Sequence, residues 1–204
     1  MAVVTSLSIV NQTLVFLGEE PLASYPDSTV NSNRLAVYYE DTKERELKKY
    51  EWNFAIFRET LTKSGTNPIN EYSSQFPVPT DVLRILTVWP EGIKWKRENT
   101  SLGEMILTNS TTLDVRFLKN VDEDQMTKEF ATVLAARLAI LLSPIFTERD
   151  VAFQRATTWY TDAVEEARRM DGHESSHDQM RDLDVVQTRW SSNLSGLRYG
   201  WANS

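Results

Sequence analysis

Residues 130–146, FATVLAARLAILLSPIF, constrain this chain more than any other stretch. A helix that is apolar on nearly every side must be enclosed by protein or by lipid. Arg137 and Pro144 interrupt the run, and it falls short of the roughly 20 apolar residues that a membrane span needs. It is therefore expected to be a buried helix. It is expected to begin at 122–125, DEDQ, an acidic start that suits the positive end of its dipole. Phe130, Leu134, Leu138 and Leu141 mark an inward stripe, widened by Val133 and Ile140, and Pro144 is expected to end it. Arg137 needs a carboxylate, supplied by another helix of the chain or by a neighbouring subunit.

A buried helix requires others around it. Leu7, Val10, Leu14 and Leu17 fall on one helical face, and Gly18 stands where a left-handed cap belongs. Pro21 and Pro26 mark the connection that follows. A second helix is expected from Ser28 or Asn31 to about Lys49. Leu35, Tyr39, Thr42 and Leu47 would face inward with Tyr38 beside them, leaving Lys43, Glu44, Lys48 and Lys49 in water. Right behind it come four aromatic residues in eight positions, Tyr50, Trp52, Phe54 and Phe57, which something must cover. The last long helix, about 147–170, is expected to bury Phe153, Ala156, Tyr160, Val164 and Ala167.

Between these helices the texture changes. Residues 62–81 are rich in Gly, Pro, Ser and Asn and read as loop. VLRILTVW, IKWKREN, EMILTN and TLDVRFLK then follow as short β-branched and aromatic runs, a small antiparallel β insert at about 82–118. Residues 1–171 thus read as one mainly α domain. Beyond them, residues 172–204 are polar and turn-rich and are expected to be an extended C-terminal arm. The arm nonetheless carries Trp190, Leu194, Leu197, Tyr199 and Trp201. Disordered segments are poor in aromatics, so such a tail folds onto a partner or back onto its own domain. Arg189 and Arg198, with no acidic residue after Asp184, give it a positive charge suited to an acidic surface.

Few tools of catalysis are present. With no cysteine among 204 residues, disulfides, thiolate zinc sites and a cysteine nucleophile are excluded. His173 and His177 stand at i, i+4 with no third ligand indicated, so no metal or other cofactor is expected. Nucleophile-elbow and phosphate-loop motifs are lacking. A net charge of −7 argues against gripping a nucleic-acid backbone. Interaction is favoured over catalysis. A helical regulatory or nucleic-acid-binding protein and a small hydrolase are the alternatives.

The order of the pieces resembles the tail tubular protein A family, the head-to-tail adaptors of short-tailed bacteriophages. The motifs are Leu17, Gly18, Glu19 and Pro21 after the first helix; Trp52, Asn53, Phe54 and Ala55 after the second; and Pro79, Asp81, Leu83 and Arg84 at entry to the β region. The resemblance spans about 5–170. It implies an antiparallel four-helix bundle core with a small β element and no enzymatic activity. It also implies a ring of twelve copies in the virion neck, between the portal protein and the tail nozzle protein, made in the host cytoplasm. DNA would pass through its channel without sequence-specific binding, and no membrane would be involved. In such a ring Phe57 and Arg137 are candidate subunit-interface residues, whereas Trp52 and Phe54 belong to the subunit's own core. Arg189, Trp190, Leu194, Leu197, Arg198, Tyr199 and Trp201 would contact the portal or a neighbouring subunit.

Overall fold

A computed structural model describes residues 3–146 and 149–174. Among them are four helices, α1 (Ser6–Leu17), α2 (Val30–Lys49), α3 (Lys128–Phe146) and α4 (Arg149–His173). Six strands lie between α2 and α3: β1 (Ile56–Leu61), β2 (Ser74–Pro77), β3 (Val82–Trp89), β4 (Trp95–Thr100), β5 (Gly103–Thr108) and β6 (Leu113–Lys119). They form two antiparallel sheets, ordered β1-β6-β3 and β2-β5-β4. With 47% helix and 22% strand among the described residues this is an α+β arrangement, which overturns the mainly α four-helix bundle. The β region runs from Ile56 to Lys119, not from 82 to 118.

Two strands account for the error. β1, IFRETL, begins within the aromatic cluster and acquires its partner, β6, from far along the chain, pairing Ile56 with Leu118 and Leu61 with Leu113. β2 is four residues long, ends on a proline and lies inside turn-rich sequence. As an edge strand it tolerates that proline.

The first sheet is the middle layer. Successive strand residues point to opposite faces, and on β6 Leu113, Val115 and Phe117 join Phe76 of β2 and Ile106 of β5 in a core between the sheets. The neighbouring Leu118 instead enters a second core with Trp52, Val121 and Phe130 against the helices. β3 serves both. Register shifts between Val82 and Arg84 and between Ile85 and Thr87 send Val82, Ile85 and Val88 into the inter-sheet core. Leu83 and Leu86 go to the helical side. Each bulge adds one residue and resets the alternation. Arg97 of β4 ties the layers by donating from Nη2 to the Val82 carbonyl at 3.2 Å.

In the helical layer α3 is central, touching each of the other three helices. Ile9, Val10 and Leu14 of α1, Leu35 of α2, Leu134, Leu138 and Leu142 of α3 and Ala156 of α4 are fully enclosed there. α3 continues through Pro144 to Phe146. That proline frees the Ile140 carbonyl, and the Ser143 hydroxyl takes it at 3.0 Å. Leu142 is buried in that turn, whereas Leu141 is only half-buried. Two further expectations on side chains fail: Phe153 is 47% exposed near the start of α4, and Lys43 is buried.

Candidate functional site

The tetrapeptide Trp52, Asn53, Phe54 and Ala55 joins the helical layer to the sheets. Trp52 and Phe54 are covered by Phe130 of α3, with ring centroids 5.2 and 5.1 Å away. Tyr50 meets Trp52 edge-on at 5.0 Å. The Trp52 indole N–H donates to the Glu46 carbonyl at 3.2 Å. Asn53 clamps the far end of α4: its backbone N–H donates to Asp171 Oδ1 at 2.9 Å, and its Nδ2 donates to the Asp171 carbonyl at 2.8 Å. Burial raises the Asp171 pKa, the Asn53 N–H lowers it, and the nearby Glu174 charge raises it again, leaving it above the usual range.

Two carboxylate nodes flank this joint, Glu46 buried and Glu123 half-buried. Glu46 accepts Lys49 Nζ at 2.6 Å and the Tyr160 hydroxyl at 2.9 Å. Arg137 Nε stands 3.6 Å from it, and the guanidinium lies 5.8 Å from the Tyr160 ring centroid. At the other node Glu123 accepts from both Lys43 Nζ and the Tyr39 hydroxyl at 3.1 Å. Burial first, and the Glu123 charge second, push Tyr39 well above the ordinary phenol value. Of the two carboxylates, Glu46 was within reach of sequence reasoning. Glu46 continues the stripe of Leu35, Tyr39 and Thr42, and an acid on an inward stripe signals a buried tie.

The Glu46 node is closed by its own chain, whereas Lys43 and Glu123 line an open concavity of about 410 Å³ with Glu40, Asp81 and Asp122. Among the described residues no cluster of three or more His, Asp or Glu is arranged to hold a metal. The polar concavities are shallow. One of about 310 Å³ lies beside Arg58, Thr60, Trp89 and Asp114, where the guanidinium of Arg58 sits 5.8 Å from the Trp89 ring. What the surface does offer is large apolar side chains on separate elements. Val37 on α2 is 72% exposed, Ile69 in the loop before β2 is 92%, and Leu102 in the β4–β5 turn is 58%. Ile69 and Leu102 line a common concavity.

The residues expected to act divide sharply. Phe57 packs between the two cores of the β region, with Lys119 Nζ 5.2 Å from its ring. Arg137 is engaged within the chain by Glu46. Arg189, Trp190, Leu194, Leu197, Arg198, Tyr199 and Trp201 lie outside the described residues, as does His177. His173 ends α4. No described helix is long and apolar enough to cross a membrane. No model of a known protein family matches this chain, and no curated protein matches it.

Proposed function

We propose that the protein is a non-enzymatic structural subunit of a phage head-to-tail adaptor, a ring of about twelve copies between the portal and the tail nozzle. One observation carries this reading. The three motifs behind the resemblance all stand at junctions of the architecture. Gly18 caps α1 with φ +81°. Residues 52–55 join α2 to β1 and reach across to α4. Pro79 and Asp81 open β3, their carbonyls accepting the backbone N–H groups of Val82 and Asn120.

The surface favours association in the same sense. Its carboxylates with buried partners serve internal ties, while Val37, Ile69 and Leu102 are left uncovered on different elements. A ring needs two unlike faces on each subunit, and the chain has apolar candidates for both. Its net charge of −7 suits a passage through which DNA slides without adhering. Virion neck localisation and partnership with portal and nozzle belong to the same proposal.

The deciding measurement is mass by light scattering, for the protein alone and mixed with the portal of the same phage. A large symmetric complex that needs the portal, or that preforms as a ring and then binds it, is the expected result. A monomer that ignores the portal overturns the reading.

A further inference from the structure

A groove of about 400 Å³ opens between the start of α3 and the end of α4. Val3, Val4, Met126 and Met170 give it an apolar lining, and Met170 is 40% exposed there. Its charged lining is one-sided: Asp124, Glu129, Asp171 and Glu174 against Lys128. Asp171 spends its Oδ1 on Asn53, and its neighbour Glu174 adds a like charge that a cation would relieve. A groove of this volume, apolar with an acidic rim, fits one aromatic side chain flanked by a basic one.

Residues 185–204 contain that pairing twice, Arg189 beside Trp190 and Arg198 beside Tyr199, with no acidic residue among them. They are also tethered to the groove, because Glu174 both lines it and precedes them in the chain. Trp190 stands sixteen positions beyond Glu174, a span of about 50 Å when fully extended and ample for doubling back. A short tether holds its cargo at an effective concentration on the order of millimolar, which favours the chain's own segment over a neighbour's.

We infer that residues 185–204 dock in cis, seating an Arg–aromatic pair in the groove between the α3 and α4 ends of the same chain. The inference stands apart from the adaptor reading, since it concerns the free protein and needs no portal. The chain so docked covers its own arm until a stronger surface displaces it.

Because the sequence contains no cysteine, an introduced pair reports without background. Full-length protein carrying Lys128→Cys and Ser191→Cys is oxidised with diamide and read by size under denaturing conditions. A disulfide requires the two Cβ atoms to come within about 4.5 Å. Met170→Cys with Ser191→Cys serves as a second pair, and Ser101→Cys with Ser191→Cys, on the β4–β5 turn, as the control. The expected result is a cross-link at monomer mass, at least tenfold faster than the control and independent of protein concentration. Adding Arg189→Glu and Arg198→Glu is expected to slow it at least tenfold. Cross-linking no faster than the control in both groove pairs, a product at dimer mass, or an unchanged rate in the charge-reversed chain each overturns the inference. The portal experiment is unaffected by any of these outcomes.

Discussion

Glu46 shows how a single residue is fixed by what surrounds it. Its carboxylate holds the Lys49 ammonium at 2.6 Å and the Tyr160 hydroxyl at 2.9 Å, while Arg137 stands off at 3.6 Å. Short charge-assisted bonds at a buried acceptor are worth more than a long contact to the same acceptor. Glu46→Gln is therefore expected to cost about 2 kcal/mol, and Arg137→Met less than about 1 kcal/mol, in urea unfolding of the two variants. Equal losses would make Arg137 the principal partner. Tyr39 yields a prediction in pH. Its folded pKa is raised, by burial and then by Glu123, so its contribution is intact below the ordinary value of about 10 and declines above it, where unfolded chains shed the proton first. The slope is about 1.4 kcal/mol per pH unit for the group. Tyr39→Phe is expected to lose about 1 kcal/mol at neutral pH and to show a shallower decline between pH 10 and 11 than the parent. Identical declines would remove Tyr39 from the alkaline transition.

At the scale of elements, β6 records how far the helices reach. Leu118, Arg116 and Asp114 share one face of the middle sheet, and they run from buried through half-buried to exposed. The helical layer thus covers one end of that face and leaves the other open. Leu118→Ala is expected to cost 2–5 kcal/mol, and Asp114→Ala to stay within about 0.5 kcal/mol, by the shift of urea midpoint. A similar penalty at both positions would mean that the open end is covered as well. The same strands show what the sequence conveyed. Helix faces were legible because Leu35, Tyr39 and Leu47 recur at helical spacing, and Gly18 announced its own left-handed cap. β1 and β2 were not, since one is an edge strand specified by pairing with β6 and the other is a four-residue piece among turn residues. Trp52 and Phe54 signalled that a cover was needed. Phe130 supplies it from 76 residues beyond Phe54, a contact that no local pattern encodes.

For the whole molecule the question is how copies would join. A head-to-tail ring uses two unlike faces, so a subunit spoiled on one face still presents the other intact. A two-fold dimer uses one self-complementary face and has no such reserve. Val37 on α2 and Ile69 before β2 lie on different elements and are too exposed to contribute much to folding. Val37→Asp and Ile69→Asp are each expected to change stability by no more than about 0.5 kcal/mol. Under conditions where the parent protein assembles, each variant alone should remain monomeric. Mixed in equal amounts, they should form a dimer and stop there, because the one sound head meets the one sound tail and both outer faces are dead. Light scattering reads this directly as a doubling of mass that does not grow with concentration. Rings from either variant alone would place the contacts elsewhere on the surface. Failure of the mixture to dimerise, with both variants monomeric, would mean that these two residues belong to a single face, and the head-to-tail assignment of α2 and the β2 loop would fall.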